Sequence, residues 1–238
     1  MLRILQTGWR QIGRVVQSLI FFLSIKGKNF LEEAKVIFSF WKDPYFRRID
    51  LAMKRVYFLK NPYTISRKFL EAKLEEQVHC YGETFLTSMF QIAIRAGITE
   101  KDVVIEMGSG RGRATFFLHN FFKCKVIGLE CIEEFVEKAG ILAKTYHREK
   151  VSFFCGDMFE MDPKEASILY FYGSALSEKD ESRFFQFLEK TQEKAKIITT
   201  SYSLQELFPK SNFQVIDQFT ASFLWGEAEI FINQRRFL

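Results

Sequence analysis

Paired cysteines are missing from this chain: no Cys-x-x-Cys occurs, and Cys80, Cys124, Cys131 and Cys155 stand scattered beside only three histidines. A disulfide framework and a metal site are disfavoured, and reduced thiols in a cytoplasmic protein are the simpler expectation. Long apolar runs are missing too. The most nearly apolar stretch, residues 15–25, holds 11 residues and includes Gln17 and Ser18, short of the ~20 that cross a bilayer. No small-residue cleavage site follows it, which argues against a secretory signal. Internal repeats and low-complexity segments are also absent.

What is there suits a globular enzyme. With 238 residues and 47% hydrophobic content, the chain can bury a sizeable core, enough for one domain of about 150 residues and an extension. The net charge of +5 conceals a division: residues 1–70 carry 14 Lys and Arg against 4 Asp and Glu, whereas residues 71–238 carry 20 against 25. A basic extension joined to an acidic body points to different partners for the two parts.

The first 25 residues sharpen this reading. On a helix, Leu5, Trp9, Ile12, Val16, Leu19, Ile20 and Leu23 share one side, opposite Arg3, Thr7, Arg10, Arg14, Gln17 and Ser18. Such an amphipathic helix suits a cover on the protein's own core, a membrane interface reached through residues 2–25, or a protein partner. Nucleic acid is disfavoured as a partner, because no known binding module accompanies the charge. Asn29-Phe-Leu-Glu32 has the form of a capping box opening a helix that Asp43-Pro44 should end. Further helices are expected over 46–60, stopped by Asn61-Pro62, and over 64–77. Residues 1–77 therefore read as a basic helical extension, set before a body over 78–238.

The most specific chemistry lies at residues 102–112, Asp-Val-Val-Ile-Glu-Met-Gly-Ser-Gly-Arg-Gly. An apolar strand ends in an acid, Glu106, and runs into Gly108, Gly110 and Gly112, which allow a sharp turn and close approach of the backbone to a ligand. A dinucleotide fingerprint would place glycine at 113, where Arg113 stands, and a Walker loop would need Lys-Ser or Lys-Thr after the glycines. There remains a ligand with little or no phosphate and a cationic part for a carboxylate to face, and S-adenosylmethionine fits that description.

The segment Glu106-Met-Gly-Ser-Gly-Arg-Gly112 resembles motif I of the seven-strand, Rossmann-like S-adenosylmethionine-dependent methyltransferases. Further landmarks follow in order. An apolar helix-like stretch covers 116–122, a second strand ends at Glu130, 18 residues after Gly112, and a third, Val151-Ser-Phe-Phe-Cys-Gly-Asp157, ends in Gly-Asp. Each alone is compatible with an ordinary turn or a surface acid; their order decides. The resemblance, over roughly 78–238, implies an α/β fold. Its sheet is mostly parallel with an antiparallel last strand, and helices cover both faces. It implies that Glu106, Gly108, Ser109, Gly110 and Gly112 meet the methionine end of the cofactor. Glu130 would take the ribose, and Asp157 with the Met158 amide the adenine. Later strands are expected over 166–172, 196–202, 213–223 and 228–236, the final two joined at Trp225-Gly226.

Tyr81-Gly82-Glu83-Thr84 resembles a segment in the protein-lysine methyltransferases that include the mitochondrial ATP-synthase c-subunit enzyme. There, residues preceding motif I close over the methionine end, so Tyr81, Glu83 and Thr84 join the expected cofactor site; capping of the next helix by Thr84 is the alternative. The Gly-Ser-Gly-x-Gly-Arg form points the same way, and such enzymes tend to carry a membrane-associating amino-terminal stretch. For a lysine amine, Tyr172, Ser174 and Tyr202 are candidates to orient the acceptor, because aromatic walls favour a cationic amine. Tyr172-Gly-Ser-Ala175 replaces the Asn-Pro-Pro-Tyr of many amide and ring-nitrogen methyltransferases. The departure argues against those acceptors and leaves lysine, small molecules, quinones and lipids open. A cofactor-binding scaffold without catalysis also remains.

Overall fold

The computed structural model describes residues 23–73, 81–172, 176 and 178–236. Most of the amphipathic segment 2–25, the end of the helix expected over 64–77, and Ser174 with its neighbours fall outside these residues. Helix α1 occupies 23–40 of the described chain. Helices α2 (Pro44–Val56) and α3 (Pro62–Ala72) follow. Each opens with an acceptor before a proline: Asp43 accepts from Phe46 N at 2.7 Å, and Asn61 from Tyr63 N at 3.0 Å. The Asp43-Pro44 and Asn61-Pro62 pairs thus begin helices as well as ending their predecessors, since proline at the first turn forfeits no hydrogen bond.

The expected helix start at Asn29 is corrected, because residues 29–32 lie inside α1. Glu32 caps another helix instead: its carboxylate accepts from Thr87 N and Thr87 Oγ1 near the start of α4 (Leu86–Ala96). Thr84 is not that cap either, since its hydroxyl meets Tyr170. At its other end α4 closes on Gly97 in the left-handed conformation, as a glycine permits.

From there the chain alternates β1 (Val103–Met107), α5 (Arg113–Phe122), β2 (Lys125–Glu130), α6 (Glu133–Thr145), β3 (Val151–Cys155), β4 (Ile168–Phe171), α7 (Glu178–Glu189) and β5 (Lys196–Thr200). The short α8 (Leu204–Leu207) and the hairpin β6 (Phe213–Phe223) and β7 (Gly226–Arg235) complete it. The seven strands lie in the order β3-β2-β1-β4-β5-β7-β6. Only β7 opposes the others, pairing antiparallel with both β5 and β6. The expected seven-strand, Rossmann-like sheet with an antiparallel last strand is therefore the observed fold. The strand expected over 166–172 is shorter, and Gly226 belongs to β7 rather than to the turn.

One core lies between the sheet and α1, α2, α4, α5 and α6, with Phe40, Phe46, Ile49, Met53 and Phe117 in it. The N-terminal helices share this core. On the other face Phe184, Phe187 and Leu188 of α7 pack on Ile105, Leu129 and Leu169. The exposed edge strand β6 is guarded by α4, whose Ser88, Gln91 and Arg95 donate to the carbonyls of Ser222, Thr220 and Gln218. Side chains thereby occupy carbonyls that would otherwise invite a foreign strand. Among the described residues no helix is long and apolar enough to cross a membrane.

Candidate functional site

The order of the central strands reverses between β1 and β4, and at such a switch point the loops leaving the carboxyl ends of the strands separate and open a crevice. The glycine loop sits there. Gly108, Gly110 and Gly112 have φ of 79°, 54° and 82°, values that cost other residues about 1–2 kcal/mol each. Gly108 N and Ser109 N both donate to Leu129 O at 2.9 Å, fastening the loop to the end of β2. A β-carbon on Gly112 would lie 2.6 Å from the Phe153 ring, and one on Gly128 would lie 2.7 Å from Ser109 Oγ. Close packing, together with the backbone angle at 112, requires glycine at both positions.

Two spaces meet at this loop. A narrow chamber of about 20 Å³ is lined by Gly82, Glu83, Thr84, Glu106, Ser109 and Tyr170, among others. An open cleft of about 440 Å³ is lined by Glu130, Cys131, Asp157, Met158, Phe159 and Arg183, with Lys73 and Gly108. Thus Glu83, Thr84, Glu106, Gly108, Ser109 and Gly110 gather in the chamber, and Glu130, Asp157 and Met158 in the cleft. Gly108 belongs to both.

The acids differ in state. Burial pushes the Glu106 carboxyl up to about 8, the charges of Glu83 and Glu130 add to this, and the bond from Thr115 Oγ1 at 2.5 Å offsets only part. Burial also opposes ionisation of Glu83, but the Arg111 guanidinium at 2.8 Å and the Tyr81 hydroxyl at 2.7 Å prevail and hold it below the usual range. Glu130 accepts from Gly110 N at 2.8 Å and Ile132 N at 2.9 Å, bracing the loop while keeping lone pairs for a ligand. Asp157 accepts from Phe159 N and Arg183. Those bonds outweigh burial and keep its carboxyl below the usual range.

Among the described residues Ser109 Oγ is buried without a partner, an uncompensated polar group that a ligand with donors or acceptors would satisfy. A buried acid and an unpartnered hydroxyl, on a loop whose own amides are tied to Leu129 O, Glu130 and Ser109 O, fit the amino-acid end of S-adenosylmethionine. The cleft, with two carboxylates at strand ends, fits its adenosine.

On the acceptor side, the Tyr172 hydroxyl accepts from Trp225 Nε1 at 2.7 Å and stands against Gly82. Tyr202 is placed differently: it packs with the core on the α7 face and lines neither space. Ser174 is outside the described residues. Sequence reasoning missed Tyr170, whose hydroxyl meets Thr84 Oγ1 at 2.6 Å; inside an apolar strand nothing marked it. Arg183 and Lys73 were missed too, being ordinary surface-helix residues by pattern. No group of three metal-ligating side chains occurs among the described residues.

Comparison with known proteins gives a consistent answer. A family profile described as a methyltransferase domain matches residues 98–221. The sterol 24-C-methyltransferase of Kluyveromyces lactis is 34% identical over 86 residues, covering 34% of this chain and 23% of that protein. The corresponding enzyme of Saccharomyces cerevisiae is 34% identical over 89 residues, covering 35% and 23%. The match thus spans about a quarter of these relatives. Among solved structures, an RNA methyltransferase from Salinibacter ruber in complex with S-adenosyl-L-homocysteine superposes with a TM-score of 0.53 at 19% identity, covering 64% of this chain and 93% of that one.

Proposed function

From the premise that this chain belongs to the class I S-adenosylmethionine-dependent methyltransferases and binds that cofactor, we propose that it methylates a lysine amine of a protein. The observation that carries the site is the gathering of Glu106, Glu130 and Asp157 at the ends of β1, β2 and β3 around one glycine loop. Glu106 and Ser109 take the ammonium and carboxylate end, Glu130 the ribose hydroxyls, and Asp157 with the Met158 amide the adenine. Thr84 and Glu83 form part of the chamber wall, with Glu83 anchored on Arg111 and on the Tyr81 hydroxyl behind it.

When bound, the cofactor supplies an electrophilic methyl group on a sulfonium. An amine that had given its proton to water would take that methyl group by in-line displacement, with sulfur as the leaving group. No covalent enzyme intermediate is needed, so the protein's task is alignment. Tyr172, fixed by Trp225, offers an aromatic face to the amine. Resemblance to the lysine-methylating branch at 81–84 supports this acceptor; Tyr202, remote from the two spaces, acts at most through the sheet, and Ser174 stays a candidate orienting hydroxyl.

We place the catalytic domain at 78–238 and the basic extension at 1–77, in a cytoplasmic protein peripheral to a membrane. Phe30 and Phe38 of α1 are 73% and 76% exposed beside the exposed Lys28 and Lys35, a composition suited to an anionic interface. The partial match to sterol methyltransferases favours a second reading, a lipid or quinone acceptor. Labelling an extract with tritiated S-adenosylmethionine separates the two: counts running with protein support lysine, and counts extracting into organic solvent overturn it. A chain that binds cofactor yet passes no label is the non-catalytic module.

A further inference from the structure

Two adjacent glutamates of α1 hold opposite walls of the glycine-loop chamber. Glu32, 4% exposed, accepts from Thr87 N at 3.0 Å and Thr87 Oγ1 at 2.7 Å. It thereby pins the start of α4 immediately after residues 81–85, the strip that supplies Tyr81, Glu83 and Thr84. Glu33 turns to Arg113, the first residue of α5 and the neighbour of Gly112. The Arg113 guanidinium meets Glu33 at 2.5 and 3.1 Å and Asp50 of α2 at 2.7 and 3.2 Å. Trp41 Nε1 closes on Asp50 at 2.9 Å, and Lys54 on Glu33 at 2.5 Å.

The geometry is that of a clamp. A guanidinium forked between two carboxylates has a fixed plane, so the backbone that carries it is fixed as well. That backbone leaves Gly112 at a φ of 82°, and shifting it would displace the glycine loop whose residues 108–111 line the chamber. Removing one partner of such a buried set leaves charge uncompensated. The glutamates therefore do more than attach a helix.

We propose that Glu32 and Glu33 are positioning residues for S-adenosylmethionine: through them α1 brackets both walls of the methionine-end chamber and sets the affinity of the pocket. The proposal rests on the placement of the methionine end in that chamber. Calorimetric titration of the full chain with S-adenosylmethionine tests it, alongside circular dichroism and thermal melts. Glu33→Ala weakens binding at least tenfold, and Glu32→Ala at least fivefold. Glu32→Gln, which keeps an oxygen to accept from Thr87 N, stays within threefold of wild type. Glu71→Ala, which loses only a surface pair with Arg67, binds as wild type. A role in stability alone would lower the melting temperature of Glu32→Ala and leave the affinity of the folded protein unchanged.

Folded Glu32→Ala and Glu33→Ala within twofold of wild type overturn the proposal. Should Glu33→Ala not fold, Glu33→Gln and Arg113→Lys decide, each expected to weaken binding at least fivefold; unchanged affinity in either overturns it. Wild type without heat overturns the cofactor placement and this inference with it, whereas wild-type binding with unaffected variants overturns the inference alone.

Discussion

Within the glycine-loop chamber Glu83 is paired with Arg111, while Glu106 accepts from Thr115 and keeps a carboxyl at about 8. At pH 7 roughly nine in ten Glu106 side chains then carry a proton, and at pH 6 roughly 99 in 100. On the proposed placement of the cofactor's ammonium against Glu106, binding ionises the carboxyl and the proton leaves. Binding at pH 7 therefore releases about 0.9 proton, and affinity rises about tenfold between pH 6 and pH 7, following the ionised fraction. Titration calorimetry at pH 7 in phosphate and in Tris counts the protons through the buffers' different heats of ionisation. Glu106→Gln binds more weakly, releases no proton and shows a flat profile over that range. Heat that is independent of buffer in wild type, together with affinity unchanged from pH 6 to 7, would refute the reasoning.

The same group makes the unliganded fold sensitive to pH. Because the folded chain holds this proton from the ordinary value of 4.5 up to about 8, it binds more protons than the unfolded chain across that window. The contribution is complete below 4.5 and is lost as pH rises through 8, at up to about 1.4 kcal/mol per pH unit; in thermal melts wild type falls relative to Glu106→Gln between pH 5 and 8. Gly112→Ala meets both a φ of 82° and a ring 2.6 Å from the new carbon; it destabilises by about 2–5 kcal/mol, a drop of about 4–20 °C by calorimetry, and weakens cofactor binding. Tyr172→Phe leaves the cofactor Kd within twofold and lowers kcat/KM for the acceptor about three- to tenfold, as measured by radiolabel transfer. Phe30→Asp with Phe38→Asp reduces sedimentation with anionic liposomes without a change in melting temperature.

The glycine loop was legible because its constraints are local: positive φ and close contacts admit almost no residue but glycine, so the backbone writes itself into the sequence. The strand-end acids were legible through their order along the chain. Tyr202 was not, because a strand-end tyrosine gives no sign of which face it takes, and this one packs into the core beneath α7. The four acids in the basic first 70 residues, Glu32, Glu33, Asp43 and Asp50, held more information than was drawn from them. Asp43 caps α2, Glu32 caps α4, and Glu33 with Asp50 grips Arg113. Their scarcity among so many cations was the available signal, but their partners lie from 3 to 80 residues away, and only the tertiary fold pairs them. Asn29-Phe-Leu-Glu32 misled because a capping-box pattern can occur inside a helix whose acid serves a different one.

A crystal structure of the chain with S-adenosylhomocysteine tests the central claim most directly. The account predicts adenosine in the 440 Å³ cleft, with the ribose on Glu130 and the adenine at Asp157 and Met158. The amino-acid end would lie against Glu106 and the loop from Gly108 to Gly112. A ligand bound elsewhere, or one whose ribose makes no contact with Glu130, would contradict it.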